Sequence, residues 1–234
     1  MQIITNTALI ESRVKWARRI SMVGMGSLII GFMVNLQSFS QPELSTLAMI
    51  FLLIGLVAAV ISSNMVNDWL REPRADQFLA ETLKRFGNDY VLYSYTLSTF
   101  NIIQTPTCLY VITVKNQTGE VRVEGNEFKQ KFSWLRILRF FSPDSIGSPV
   151  TELLKSVEKV RQSLQPEMSQ LPEIYPLIVF SNKEAKLIIK NPTIPVVHDR
   201  ELRNYLKSNG PKQPLSADQQ RVLAKILGGS YIKN

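Results

Sequence analysis

Residues 20–67 read ISMVGMGSLIIGFMVNLQSFSQPELSTLAMIFLLIGLVAAVISSNMVN, and Glu43 is the only charged residue among them. A helix needs about 20 mostly apolar residues to cross a bilayer core of roughly 30 Å. The uncharged stretches on either side of Glu43 are each long enough, and two such runs in succession are uncommon in a globular core. We therefore expect a two-helix transmembrane hairpin over residues 20–67. A buried helical hairpin in a soluble protein is the alternative.

The residues before this hairpin predict an amphipathic N-terminal segment over 1–19 that leads into the membrane. Trp16 suits the membrane interface, where indole rings are enriched. A secretory signal peptide would instead have a short apolar region and then a small-residue cleavage site. Bulky residues, beginning with Phe32 and Val34, and a second apolar run follow here. The sequence therefore favours a first helix that is retained.

The basic residues near the helix ends predict the orientation of the hairpin. Six of them flank it, and the connection over residues 37–43 has none. They are Arg13, Lys15, Arg18, Arg19, Arg71 and Arg74. Because Lys and Arg are retained on the cytoplasmic side, we expect both termini and the bulk of the chain to lie in the cytoplasm, with the hairpin in the cell membrane. The single cysteine, Cys108, suits a reducing compartment.

Basic residues also outnumber acidic ones beyond the hairpin. The chain holds 27 Lys and Arg against 19 Asp and Glu, and only four of the basic and two of the acidic residues precede residue 65. Such a surplus beside a membrane indicates attraction to anionic headgroups, so the lipid bilayer is the first expected partner. Nucleic acid is the second candidate, but the charges are scattered and do not favour it.

The remainder of the chain alternates helical periodicity with short apolar runs. Helices are expected at about 74–86, from Pro149 to Leu164, from Asp199 to Leu206 and from Ser216 to Gly228. Strands are expected at 90–97, 108–115, 121–123 and 176–181, more weakly at 187–189 and 196–197, with a hairpin turn at 118–119. This order predicts a three-layer α/β domain with a mixed β-sheet over residues 72–207. A linker and a C-terminal helix over 208–234 complete the chain.

Residues 100–117, FNIIQTPTCLYVITVKNQ, resemble the core of the nuclease-related domain (NERD) family. That family's pattern is an Asp-His pair, a hydrophobic strand, a Pro-x-Gly turn and a second strand ending in Glu-x-Lys, then Asn and Gly. Residues 74–76 (RAD), 148–152 (SPVTE) and 176–181 resemble three further parts of the pattern. The resemblance implies a restriction-endonuclease-like PD-(D/E)xK fold over roughly residues 72–207.

The departures from the family pattern fall on the residues that would carry catalysis. Alignment on Lys115 places Thr113 at the Glu position, Phe100 at the Asp position and Asn101 at the His position. Lys115 and Asp76 alone survive as vestiges of the site. Mg²⁺ needs oxygen ligands, usually from one or two carboxylates, so we expect no metal, no cofactor and no catalytic residues. In a shifted alignment, Glu120 or Glu124 could supply a carboxylate, but both follow the turn at 118–119.

Other candidate chemistry is sparse. His198 is the only histidine and has no nearby Cys or His with metal-ligand spacing, so we interpret it as a turn residue beside Asp199. Cys108 lies in an apolar strand and is expected to be a small buried residue. Neither a nucleophile motif nor a phosphate-binding Gly loop is present in the sequence.

Residues 132–141, FSWLRILRFF, combine aromatic and basic side chains. The candidate contact residues are Trp134, Arg136, Arg139, Phe140 and Phe141. Aromatic and basic residues together are typical of a membrane interface or of a protein partner surface. A strand or helix that covers the domain core is the alternative, since short apolar runs do not separate these cases.

These observations support three functional hypotheses. The first is a non-catalytic, membrane-anchored interaction or scaffold module that serves as an accessory subunit of a larger membrane protein complex. The second is a membrane-anchored, metal-dependent nuclease. The third is a protein that binds nucleic acid without cleaving it.

Overall fold

The computed structural model describes residues 1–97, 100–130 and 148–229. These residues form two compact units. A helical unit holds Thr7–Arg74, and an α/β unit holds Met1–Asn6 together with the described residues from Ala75 onward.

Two long helices make up the helical unit. Helix α1 spans Thr7–Ser38 and α2 spans Ser45–Met65, with a 3-10 turn at Pro42–Leu44 before α2 and a π-helical turn at Val66–Leu70 after it. The 32 residues of α1 extend about 48 Å at 1.5 Å per residue. Both helices are long and apolar enough to cross a membrane, which agrees with the predicted hairpin.

Small residues bring α1 and α2 close together. A Cβ atom at Gly24 would lie 3.1 Å from the Cβ of Ala58, and one at Gly31 would lie 2.9 Å from the backbone nitrogen of Leu52. The Ser27 hydroxyl donates a hydrogen bond to the Phe51 carbonyl oxygen at 2.7 Å. Most large side chains of both helices, such as Met22, Phe32 and Leu53, are exposed, as expected for helices that meet at small residues.

The expected amphipathic segment over residues 1–19 is wrong for its first residues. Gln2–Thr5 form strand β1, which pairs in parallel with strand β2, Val91–Ser94, and α1 begins only at Thr7. The run Ile3-Ile4-Thr5 is β-branched and therefore favours a strand where a sheet edge is available.

The main sheet of the α/β unit has six strands: β1, β2, β3 Asn101–Gln104, β4 Leu109–Lys115, β7 Ile174–Phe180 and β9 Val196–His198. They lie in the order β1-β2-β3-β4-β7-β9. Strand β3 is antiparallel to β2 and to β4, and the pairs β1/β2, β4/β7 and β7/β9 are parallel. The predicted mixed sheet is therefore confirmed.

Helices pack on both faces of this sheet. Leu109 and Val111 of β4 face helix α4, Pro149–Leu164, and we call this side the α4 face. Tyr110 and Ile112 face helices α3, Ala75–Leu83, and α5, Asp199–Ser208, and this side is the α3 face. The alternation follows from the two-residue period of a strand, and it decides which functional side chains can meet.

A second sheet corrects the predicted hairpin turn at 118–119. Strand β5, Gly119–Gly125, does not pair with β4 but lies between β6, Glu127–Gln130, and β8, Ala185–Pro192. Since β4 already has β3 on one side and β7 on the other, no free edge remains for β5. Gly119, with φ of +80°, redirects the chain, and Val121 and Val123 are buried in the α4-face core.

The C-terminal helix follows its sequence signals. Helix α6 spans Ala217–Leu223, and a π-helical turn continues it to Gly228. The Ser216 hydroxyl accepts a hydrogen bond from the Gln219 backbone N–H, and the Gln219 side chain accepts one from the Ser216 N–H. This reciprocal capping box confirms the predicted start of the helix.

Candidate functional site

Lys115 lies at the carboxyl end of β4, on the α4 face of the sheet. Its Nζ is 3.9 Å from Oε2 of Glu152, in the first turn of α4. The Lys115 side chain is 17% exposed and that of Glu152 is 63% exposed. Solvent screens so open a pair, and it contributes about 1 kcal/mol or less.

Thr113 and Phe100 lie on the same face as Lys115. Thr113 is two residues before Lys115, so their side chains share a side of β4. Asn101 pairs with Ile112 in the antiparallel register of β3 and β4, and continuation of this register by one step sets Phe100 opposite Thr113. Phe100 belongs to the α4-face core and is only 8% exposed. The structure therefore brings Phe100, Thr113 and Lys115 together.

Tyr93 borders this group and remains uncharged. Its hydroxyl donates a hydrogen bond to Oε1 of Gln104 at 3.1 Å. Burial raises the pKa of Tyr93 to about 12.

Asp76 lies on the other face of the sheet. It is in the first turn of α3, and Leu79 and Leu83, three and seven residues later, pack in the α3-face core. The Tyr95 hydroxyl contacts Oδ1 of Asp76 at 3.5 Å. The structure thus does not bring Asp76 to the face that holds Lys115.

Sequence reasoning missed a buried polar group around Tyr95. Ser94 and Asn101 are cross-strand partners on the α3 face, and both are almost fully buried. Neither Ser94 Oγ nor Asn101 Oδ1 has a hydrogen-bond partner among the described residues. Tyr95 has φ of +61°, and its carbonyl oxygen accepts a hydrogen bond from Asn6 Nδ2 at 3.2 Å. Because Asn6 is 89 residues away in the chain, local sequence gave no signal for this contact.

His198 is the residue that precedes α5. Its Nε2 lies 3.0 Å from the carbonyl oxygen of Asn182, to which it donates, and its Nδ1 lies 2.5 Å from Oδ1 of Asp199. The interpretation of His198 as a turn residue is therefore wrong, because His198 is the last residue of β9, where it pairs with Phe180. Cys108 is fully buried, as expected.

The aromatic-basic segment stays a prediction. Residues 132–141, with Trp134, Arg136, Arg139, Phe140 and Phe141, lie outside the described residues. Trp16, the other candidate for membrane contact, lies in α1 and is 55% exposed.

The side chains around Lys115 do not fit a catalytic Mg²⁺ ion. Phe100 offers no oxygen ligand and Thr113 offers one neutral hydroxyl, whereas Mg²⁺ in proteins is held by carboxylates. Glu152 supplies a single, largely exposed carboxylate. Within residues 1–97, 100–130 and 148–229, no three His, Cys, Asp or Glu side chains are grouped closely enough to share a metal ion.

Comparison with known proteins identifies the family of this domain. The family model of the nuclease-related domain matches residues 68–181, from the end of the helical unit to the residue after β7. No curated protein and no solved structure matches the chain. The match includes the residues that were aligned with the family's catalytic pattern, Asp76, Phe100, Asn101, Thr113 and Lys115, and it also includes Glu152. Residues 68–181 therefore form a nuclease-related domain (NERD), as the resemblance of residues 100–117 predicts.

Proposed function

We propose that the chain is a non-catalytic, membrane-anchored interaction module that serves as an accessory subunit of a larger membrane protein complex. The observation that carries this proposal is that Phe100, Thr113 and Lys115 lie on one face of the sheet, with Phe100 one residue before the pair Asn101–Ile112. The family pattern places a metal-binding carboxylate at each of the first two positions, and neither residue can be ionised. A site without these carboxylates would lack the ligands that hold a Mg²⁺ ion, and it is the bound ion that would lower the pKa of a water molecule.

The anchoring part of the proposal is supported by the helical unit. Bulky apolar side chains cover the outside of both helices, and residue 43 carries the one charge between Ile20 and Asn67. Soluble surfaces rarely expose a continuous apolar patch of this extent. We further propose that the hairpin spans the cell membrane with both termini and the α/β unit in the cytoplasm. The six flanking basic residues support this orientation.

We also propose that the α/β unit has the restriction-endonuclease-like fold that its family implies. A mixed sheet with helices on both faces supports this assignment. So does the placement of Phe100, Thr113 and Lys115 on one face, since the corresponding family residues converge on one metal.

A nuclease assay tests the non-catalytic role. The full chain in mild detergent is incubated with Mg²⁺ or Mn²⁺ and with plasmid, single-stranded DNA or RNA. We expect no cleavage above that of Lys115→Ala, the matched control for contaminating nucleases. Metal-dependent cleavage that Lys115→Ala abolishes would overturn the proposal.

The interaction role requires a partner in stable complex. We expect cross-linking in intact membranes, followed by purification in mild detergent, to yield a membrane protein that co-elutes with the chain at a fixed ratio. Trp134→Ser with Phe141→Ser should weaken this association, and Lys155→Gln with Lys159→Gln, on the exposed side of α4, should not. A chain that elutes alone from cross-linked membranes would contradict the role.

The contact between Lys115 and Glu152 favours one alternative, a membrane-anchored nuclease. Glu152, in the first turn of α4, places a carboxylate 3.9 Å from the lysine. If that carboxylate bound a metal, Glu152→Gln would abolish cleavage while leaving the fold intact. Absence of cleavage together with retained affinity for nucleic acid would instead indicate a binding protein.

A further inference from the structure

We infer that the exposed side of α1, formed by Lys15, Arg18 and Arg19, binds the headgroups of anionic phospholipids. We call these three residues the basic arc. The inference rests on the proposed membrane anchoring. It adds that this part of α1 prefers lipids whose headgroups carry a net negative charge over lipids with neutral headgroups.

The first argument is the direction in which the basic arc points. Ile10, Ala17, Gly24 and Gly31 recur every seven residues and form the buried side of α1. At 100° per residue, Lys15 and Arg19 point about 160° away from Ala17, and Arg18 points about 100° away. The basic arc is therefore turned away from the buried stripe, and all three side chains are exposed.

The second argument is that none of the three cations is part of an ion pair. Within the described part of the chain, no ion pair or hydrogen bond is made by the side chain of Lys15, Arg18 or Arg19. Glu11 is the one acidic residue in α1, and it makes no ion pair with the basic arc. Glu11, four residues before Lys15, offsets at most one of the three charges, so the group keeps a net positive charge that attracts an external anion.

The third argument is the depth of the basic arc in a bilayer. Arg19 directly precedes the 23 uncharged residues from Ile20 to Pro42. Lys15 and Arg19 are about 6 Å apart along the helix axis. The polar layer on each side of a bilayer is also about 5–7 Å thick. The three cations therefore fall within the layer that holds the lipid phosphates, and the long side chains of Lys and Arg can follow small changes in depth.

Trp16 supports this placement. Its indole is 55% exposed and points about 100° from Ala17, on the side of α1 opposite to Arg18. Exposed indoles prefer the boundary between headgroups and acyl chains.

The preference for anionic lipids comes from the net charge of their headgroups. Arg18 and Arg19 can each form paired hydrogen bonds with a phosphate, but zwitterionic lipids carry a phosphate as well.

Competition between two lipids tests this inference. The full chain, purified in a nonionic detergent, is mixed with equimolar phosphatidylglycerol and phosphatidylcholine of identical acyl chains, and the retained lipids are counted by native mass spectrometry. Each Lys or Arg near an anionic leaflet increases the affinity for it about fivefold. We therefore expect phosphatidylglycerol to be retained preferentially, and the preference to fall about tenfold or more in Lys15→Gln/Arg18→Gln/Arg19→Gln.

Two control variants separate headgroup binding from other effects. Lys155→Gln/Lys159→Gln/Lys186→Gln removes the same charge from exposed sites of the α/β unit and should keep the preference. Lys15→Arg/Arg18→Lys/Arg19→Lys retains the charge of the basic arc and should also keep it. Equal retention of both lipids by the wild-type chain, or an unchanged preference in the Gln variant of the basic arc, would overturn the inference.

Alkaline extraction of membranes distinguishes this failure from failure of the proposed anchoring. A chain that resists extraction but shows no lipid preference is anchored and lacks the headgroup site. A chain that is released into the aqueous phase is not anchored, and both proposals then fail.

Discussion

Lys115 Nζ lies 3.9 Å from Glu152 Oε2, and this is the one ion pair at the candidate site among the described residues. The same lysine in a catalytic relative would face two carboxylates and a metal. Here its neighbours on the α4 face are Thr113 and the buried ring of Phe100. The ion-pair partner of the lysine is thus an exposed carboxylate on α4.

Placing the family's acidic residues at positions 100 and 113 should lower the free energy of unfolding by different amounts. Phe100→Asp removes a buried ring and buries a carboxylate, so we expect the free energy of unfolding to fall by about 3 kcal/mol or more. Thr113→Glu changes a half-buried residue whose new carboxylate lies near Lys115, and should cost about 1 kcal/mol. Urea unfolding of the full chain in detergent measures both, with Glu152→Gln as the near-neutral control. Equal costs would contradict the burial of position 100.

The aromatic-basic segment should tolerate polar substitution if it contacts a bilayer or a partner. Trp134→Ser with Phe141→Ser should then change the free energy of unfolding by about 0.5 kcal/mol or less. Trp69→Ser, in the helical unit, is the contrast, because Trp69 is buried and should cost about 3 kcal/mol or more. If the double variant loses as much stability as Trp69→Ser, the segment belongs to the core.

Local patterns predicted the helices and most of the strands, but they missed strands such as β1 and β6 and did not give the partners of each strand. The apolar runs and the Ser216 capping box predict α1, α2 and α6 because each signal lies within the element itself. The pairing of Gln2–Thr5 with Val91–Ser94 depends on a sheet edge more than 80 residues away. Strand β5 pairs in the second sheet because β4 already has a neighbour on each side. The residues near Gly119 give no indication of these neighbours.

The candidate site shows the same division. The spacing of Thr113 and Lys115 predicts one shared face, and the register with β3 adds Phe100 to it. The helical spacing of α3 puts Asp76 on the same side of the helix as Leu79 and Leu83. That spacing does not say which face of the sheet α3 covers, so the separation of Asp76 from Lys115 required the structure.

Strand β1 should contribute to the stability of the α/β unit. Ile4 packs against the α4-face core, whereas Ile3 is half exposed. We expect Ile4→Ala to lower the free energy of unfolding by about 1–2 kcal/mol and Ile3→Ala to change it by about 0.5 kcal/mol or less. Urea unfolding of the full chain is the measurement. Equal effects would mean that β1 does not dock as described. A chain that begins after residue 70 lacks this strand and is a poor model of the domain.

The orientation of the hairpin is tested by cysteine labelling. A cysteine at Ser38, at the end of α1, should react with a membrane-impermeant maleimide in intact cells. A cysteine at Ser208, at the exposed end of α5, should react only after permeabilisation. Cys108 is fully buried and adds little background. The reverse pattern would contradict both the orientation and the cytoplasmic position of the α/β unit.

Three glycines of the hairpin should respond differently to the same substitution. A Cβ atom at Gly55 would lie 2.6 Å from Leu28 Cγ and 3.0 Å from the Leu28 backbone nitrogen. At Gly31 it would lie 2.9 Å from the Leu52 backbone nitrogen. At Gly26 it would meet nothing within 4 Å. Since backbone atoms cannot move aside, α1 and α2 must separate in Gly31→Ala and Gly55→Ala, which should cost about 1–3 kcal/mol each.

Gly26→Ala is the matched control, because it makes the same change in the same helix as Gly31→Ala with no clash. Alanine is the better helix former, so this variant should be neutral or more stable by up to about 1 kcal/mol. The measurement is the thermal unfolding midpoint of the full chain in one detergent, and the expected order is Gly26→Ala at or above wild type, with Gly31→Ala and Gly55→Ala below it. If all three variants had the same midpoint, the close packing of α1 against α2 would be wrong, because intrinsic helix propensity alone predicts no difference among them.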